Sequence, residues 1–296
     1  MIETSRGELA TLSRVFSPAV VKELGKRGSS PLLARLLCES SIPDRLPENA
    51  TLFDAFDMSY SLLKQMGNRD DYVYRSAIVQ KIVLGKHSLK TCTLLHEVRS
   101  GKSKADLVVL NGVSTAYEIK SERDSLKRLP SQLQDYRETF AVVNVVTNPE
   151  QAEAILSIAP SDVGVIVLSS RFSLRVVREA QNVPERTSPL MMLSTLRVAE
   201  AVEVLQQLGV SFPEVPNTER WATLRECFEP LSPIEVQQAF TKVLKESRSS
   251  ADSQDWIRDV PKPLRAAFLE AGKNPAIRKK LIETSNVSIS DVLDWR

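Results

Sequence analysis

Two carboxylates and a lysine lie close together in the middle of a 296-residue chain that otherwise offers few chemically committed side chains. Asp106 is followed twelve residues later by Glu118-Ile119-Lys120, and Glu97 lies just upstream. Gln132 and Tyr136 come next, at i and i+4, where they form one polar stripe if the segment is helical. Hydrolysing a phosphodiester requires charge neutralisation at phosphate and an activated water, and one or two carboxylate-held divalent ions supply both. Mg²⁺ or Mn²⁺ takes hard oxygen donors and keeps several waters, so two or three acids and a backbone carbonyl suffice. A lysine beside them can hold the phosphate or the attacking water as a compact point charge.

Whether these residues meet depends on the elements that carry them. The β-branched and apolar runs TCTLLHEV, ADLVVL and VSTAYEIK predict three strands, with SGKSK as the first turn and Asn111-Gly112 in the second. Side chains alternate along a strand, so Glu118 and Lys120 share a face. A two-residue Asn111-Gly112 turn would set Asp106 against Tyr117, on the wrong face for Glu118. A three-residue loop, Asn111-Gly112-Val113, sets Leu110 against Ser114 and Asp106 opposite Glu118. Gly112 suits the left-handed position of such a loop, so the longer loop or a bulge is expected. Opposed carboxylates repel unless a cation or proton sits between them. Glu97, on the preceding strand, is within reach as a third metal ligand or as a neighbour of the site.

Around this stretch the chain alternates. SERDSLKRLPSQLQDYRETF predicts a helix that Pro130 kinks or divides. FAVVNVVT and DVGVIVLSS predict further strands, the latter a buried one. NPEQAEAILSI between them predicts a helix capped by Asn148 with Pro149 at its first position, and RFSLRVVREA an edge strand or strand–helix junction. A hairpin-rich sheet continued through crossover helices implies a mixed α/β sandwich. Residues 1–68 are helical in pattern, with Ser17-Pro18 and Ser30-Pro31 opening helices. ERTSPLMMLSTLRVAEAVEVLQQLG predicts one long amphipathic helix, followed by short helices to residue 296. Three regions are expected: a helical region over 1–68, the α/β core over 69–183, and a helical region over 184–296.

Composition bounds the class. Hydrophobic content of 42% and charged content of 26% describe an ordinary globular protein. No apolar run approaches the roughly 20 residues that span a bilayer. MIETSRGELA lacks the basic and apolar regions of a signal peptide, so a cytoplasmic protein without membrane contact is expected. Net charge of +2 neither requires nor excludes a polyanion partner. Three scattered cysteines form no C-x-x-C and two histidines cannot make a His-rich site.

The stretch ADLVVLNG…AYEIKSERDSLKRLPSQLQDYRETF resembles the PD-(D/E)XK nuclease superfamily, in particular a poorly characterised bacterial family within it. Gln132-Leu133-Gln134-Asp135-Tyr136 looks like the Q-x-x-x-Y motif of the RecB-like branch. The resemblance implies a restriction-endonuclease-like mixed sheet flanked by helices. It implies that Asp106 and Glu118 bind Mg²⁺ or Mn²⁺, that Lys120 is the catalytic lysine, and that Gln132 and Tyr136 complete the site. Glu97 is its candidate for an additional acid; some branches place that acid on the first helix, where only Asp70 and Asp71 precede. Ser121, Asp124 and Arg128 match the closer family without a role. Lys127 and Arg128 suit either phosphate contact or a solvated helix face, as do Lys102 and Lys104 in the turn before Asp106. The expected function is a metal-dependent DNA endonuclease in repair or defence against mobile DNA. An RNA or tRNA endonuclease and a catalytically silent nucleic-acid- or protein-binding module are the alternatives. The helical regions are left to a second copy of the chain or a protein partner.

Overall fold

The computed structural model describes residues 5–271 and 274–295. Residues 1–4, 272–273 and 296 of the two helical regions, and with them the first four residues of the N-terminal reading, lie outside them. In chain order, α1 (Arg6–Val15), α2 (Pro18–Arg27), α3 (Pro31–Cys38), α4 (Ile42–Arg45), α5 (Leu52–Leu63) and α6 (Asp71–Ile78) come first, α6 running into a π turn at Val79–Val83. Strands β1 (Thr93–Ser100), β2 (Ser103–Leu110) and β3 (Ser114–Lys120) precede a 3-10 turn, Leu126–Arg128, and α7 (Leu129–Thr139). Then come β4 (Val142–Thr147), α8 (Ala152–Ile158), β5 (Gly164–Leu168) and β6 (Leu174–Arg178). The remainder is α9 (Pro189–Thr195), α10 (Val198–Gln207), α11 (Arg220–Phe228), α12 (Pro233–Ser247), α13 (Arg265–Ala271), α14 (Pro275–Ser285) and α15 (Ile289–Leu293). The fold is α/β.

These elements form two compact units that do not follow chain order. One comprises Met1–Lys86, Ser170–Ser173 and Ser253–Arg296; the other His87–Ser169 and Leu174–Asp252. Contacts therefore divide the chain elsewhere than at 68/69 and 183/184. The first unit is helical. Ser17 and Ser30 stand at N-caps before Pro18 and Pro31, and Ser30 Oγ accepts from Leu33 N at 3.1 Å. Its core includes Phe16 stacked on Tyr72 at 4.5 Å between ring centroids. Helix α6, expected to open the sheet domain, belongs to this unit, and Asp70 caps it by accepting from Val73 N.

The second unit is built on a six-stranded sheet in sequential order, β1 to β6. β1, β2 and β3 form an antiparallel meander, β3–β4 and β4–β5 are parallel, and β6 closes the edge antiparallel to β5. Val108, Leu110 and Ala116 from the meander share a core with Leu129 and Leu133 of α7, Met192 of α9, Val204 of α10 and Phe240 of α12. Residues 184–252 are thus part of the sheet's own core. Arg186 ties them down: its guanidinium donates to the carbonyls of Arg137 and Phe140 and pairs with Asp162.

Two sequence expectations need correction. The long helix over 185–209 is two helices, because Ser188-Pro189 opens α9 and the extended Leu196 ends it. Glu200 then caps α10 by accepting from Arg197 N at 2.7 Å, its carboxylate held by Arg248. The helix after β4 begins at Ala152 rather than Pro149, because Asn148 Oδ1 accepts from Gln151 N and closes a turn over the intervening residues. Pro130 sits in the first turn of α7 behind a 3-10 turn, as its missing N–H requires.

Candidate functional site

The β2–β3 register brings the acids together. Leu110 pairs with Ser114 and Leu107 with Tyr117, leaving Asn111–Val113 as a three-residue loop in which Gly112 has φ 74°. The next position in this register sets Asp106 against Glu118. There the ladder gives way: Asp106 Oδ2 accepts from Ile119 N at 2.7 Å, a carboxylate taking the place of a backbone acceptor. Glu118 is 2% exposed and Lys120 6%. Burying such charges is costly unless they are paired and hydrogen-bonded, and both are. Lys120 Nζ lies 2.6 Å from Glu118 Oε1 and 3.1 Å from Gln132 Oε1.

Helix α7 supplies the roof. Tyr136 is fully buried, and its hydroxyl is 2.8 Å from both Glu118 Oε2 and the carbonyl of Lys104. One hydroxyl proton thus faces two acceptors. Burial, then the charge and hydrogen bond of Glu118, then the charge of Asp106, push this phenol far above its ordinary ionisation range. Gln132 Nε2 approaches the same hydroxyl at 3.5 Å. Asp106, Glu118, Lys120, Gln132 and Tyr136 therefore form one constellation. Its carboxylate oxygens are hard donors of the kind a divalent ion prefers.

Glu97 is not brought into this group. It is exposed, has φ 49°, and its carboxylate pairs with Lys104 Nζ at 3.0 Å. Among the described residues, no group of three or more His, Cys, Asp or Glu side chains is arranged to hold a metal. Glu97 is held by Lys104 and does not join Asp106 and Glu118.

The family model described as bacteriophage P4 protein cII matches residues 64–267. The chain belongs to this family. A curated relative, protein cII of Enterobacteria phage P4, is 31% identical over 180 residues, which cover 58% of this chain and 65% of the relative. The chain thus spans a little under two thirds of that relative's length. A solved structure, a protein of unknown function from Silicibacter pomeroyi, superposes with a TM-score of 0.28 at 18% identity, over 40% of this chain and 80% of its own. The region matched to the cII family contains all six strands and every member of the constellation.

Several supports of the site in this cII-family chain escaped the sequence reading. Thr147 Oγ1 donates to the carbonyl of Lys120 at 3.0 Å, and Gln151 Nε2 to that of Asp124 at 3.2 Å. Asp124 Oδ2 accepts from both Ser121 N and Ser121 Oγ, a buckle that turns the chain as it leaves β3. The Ser-x-x-Asp spacing was the available signal. On the other side, Ser103 Oγ donates to Asp135 Oδ2 at 2.6 Å, docking the β1–β2 turn on α7. Gly101 suits this turn: its φ is 57°, and a Cβ there would lie 3.1 Å from Asp135 Oδ1.

Among the described residues, no helix is long and apolar enough to cross a membrane.

Proposed function

We propose that this protein is a metal-dependent phosphodiesterase, a DNA endonuclease acting in repair or against mobile DNA. The observation that carries this reading is the Asp106 carboxylate accepting from Ile119 N at 2.7 Å, beside Glu118, whose own carboxylate lies 2.6 Å from the Lys120 ammonium. Asp106 and Glu118 would hold Mg²⁺ or Mn²⁺, which when bound offsets phosphate charge and lowers the pKa of a coordinated water. Lys120 holds a positive charge where a phosphate oxygen or the attacking water must sit. Tyr136 keeps Glu118 oriented through Oε2, while Gln132 steadies the lysine. The resemblance to the PD-(D/E)XK superfamily supports the same assignment.

A second reading, a silent nucleic-acid-binding module, is favoured by one feature. Glu118 and Lys120 satisfy each other in a buried pair, while Glu97 stands on Lys104. The test incubates wild-type, Glu118→Gln and Lys120→Ala proteins with plasmid, single-stranded DNA and total tRNA, with Mg²⁺, Mn²⁺ or chelator. Cleavage of DNA that disappears in both variants and in chelator is expected. Cleavage persisting in Lys120→Ala overturns the assignment. Cleavage of tRNA alone moves the substrate to RNA, and no cleavage at all favours the module.

A further inference from the structure

The sheet-bearing unit holds a second recess, at the opposite end of β3 from Lys120. Ser114 opens that strand and lines the recess, so the two places are about 20 Å apart at the rise of an extended chain. The β2–β3 loop, the segment after β6 and the first turns of α12 wall a volume of about 140 Å³. An engineered cavity of about 150 Å³ holds benzene, so there is room for one six-membered ring. None of the described residues lining it is charged. Its floor is polar and buried: Gln237 and Thr241 are each 4% exposed and Ser114 is fully buried. Ser114 Oγ donates to Gln237 Oε1 at 3.1 Å and accepts from Ala141 N at 3.0 Å, while Gln237 Nε2 donates to the carbonyl of Thr139 at 3.1 Å. These bonds fix the Gln237 amide, yet its nitrogen carries two hydrogens and uses one among the described residues. Thr241 Oγ1, 3.4 Å from Gln237 Oε1, keeps its acceptor capacity. At the mouth, Asn182 and Gln238 are exposed, and neither carboxamide makes a hydrogen bond among the described residues. Ile234 and Pro184 add apolar walls.

We infer that this recess binds a pyrimidine base. A charged guest would meet no counter-charge there, which disfavours phosphate and metal ions. An apolar guest would leave the second Gln237 N–H unpaired in a buried site, which is costly. A neutral planar ring that presents an acceptor beside a donor satisfies the floor and lies against Ile234 and Pro184. Uracil and thymine offer a carbonyl next to a ring N–H, and cytosine a ring nitrogen next to its amino group. Each accepts from Gln237 and donates to Thr241. Carboxamides pair with base edges two bonds at a time, and Asn182 and Gln238 stand at the mouth to do so. The fused rings of a purine exceed the volume. The ring can belong to a free nucleoside or to an unstacked base of a single strand, where recognition through base edges is usual. This inference does not rest on the nuclease reading.

The test uses the full chain in chelator, so that no cleavage intervenes. Saturation-transfer NMR follows uridine, cytidine, adenosine and galactose, and anisotropy follows fluorescein-labelled oligothymidylate and oligoadenylate. Uridine and cytidine should receive saturation, and adenosine and galactose should not. Asn182→Ala and Gln238→Ala change exposed residues and should each weaken binding by about two- to tenfold, the worth of one hydrogen bond. Gln238→Trp closes the mouth and should abolish binding. Lys242→Ala, an exposed residue of α12 outside the lining, serves as the control and should change nothing. Binding of the nucleosides identifies the free base as a ligand. Preference for oligothymidylate over oligoadenylate, lost in Gln238→Trp and without nucleoside binding, places the base in a strand. The inference is overturned if neither the pyrimidine nucleosides nor oligothymidylate binds, if adenosine or galactose binds as well as uridine, or if Gln238→Trp keeps the wild-type affinity.

Discussion

Replacing Lys120 by Met should destabilise the protein sharply, and replacing its partner as well should restore it. The pair is buried, with side chains 7% and 2% exposed and 2.6 Å between charged atoms. Removing one member of such a pair leaves an uncompensated buried charge, which costs about 3–5 kcal/mol. In Lys120→Met, Glu118 keeps only the Tyr136 hydroxyl, which it shares with the Lys104 carbonyl. The sheet-bearing unit has about 160 residues, a size at which 1 kcal/mol moves Tm by about 2–4 °C. Differential scanning calorimetry should then record a fall of roughly 6–20 °C in that unit's transition. Glu118→Leu with Lys120→Met replaces the pair by apolar side chains and should regain most of that loss. Divalent ions supply a second readout. On the proposed metal binding, an ion held by Asp106 and Glu118 would replace the missing counter-charge, and Mg²⁺ at ten times its Kd should stabilise Lys120→Met by about 1.4 kcal/mol. The same ion should leave the double variant unmoved. A loss under about 1 kcal/mol in Lys120→Met, a threshold well below the buried-pair cost, would refute the energetic assignment. So would a double variant no more stable than the single one. A Lys120→Met variant indifferent to Mg²⁺ and Mn²⁺ would count against the metal.

Tyr136→Phe removes a hydrogen bond to a buried carboxylate and should cost about 1.5–3 kcal/mol in urea denaturation; a change within error would mean that Gln132 or water replaces it. Burial raises the phenols of Tyr60 and Tyr117 to about 12, and it raises those of Tyr72 and Tyr136 well above the ordinary value. Because the folded values lie above the unfolded one, this stability is full below pH 10 and is lost as pH rises beyond it. Absorbance at 295 nm should rise together with loss of ellipticity, and tyrosinate appearing while the fold is intact would contradict it. Asp162 is lowered although burial opposes this, because Arg137 and Arg186 outweigh it. Its contribution is present above the ordinary aspartate range and lost as pH falls, and Asp162→Asn should remove about 3–5 kcal/mol together with the acid-side slope in chemical denaturation. Gly112→Ala, at φ 74° with no atom within 4 Å of the new Cβ, should cost about 1 kcal/mol through strain alone, and Gly112→Asn less.

The constellation was legible because its members lie on regular elements of known period. Alternation put Glu118 and Lys120 on one face, the spacing of four aligned Gln132 with Tyr136, and Gly112 favoured the three-residue loop that sets Leu110 against Ser114. What the sequence did not disclose depends on contacts between distant residues. The start of α10 is fixed by Glu200, which caps it from the first turn while Arg248, 48 residues on, holds its carboxylate. Residues 184–252 join the sheet's core because Arg186 reaches back to Phe140 and Asp162, and no local propensity encodes that.

Glu97 marks the boundary between the two kinds of information. Strand alternation treated it as a residue that could turn towards the metal, yet its backbone enters the left-handed region and its carboxylate finds Lys104. A non-glycine residue held at positive φ is costly and persists where its surroundings impose it. Here those surroundings include the turn docked on α7 by Ser103 and Asp135. The same turn presents Lys104, whose ammonium lies 3.0 Å from the Glu97 carboxylate. Glu97→Gln separates the roles. If Glu97 only pairs with Lys104, the variant keeps its response to Mg²⁺. If it ligates the ion, the Mg²⁺-induced rise in Tm shrinks.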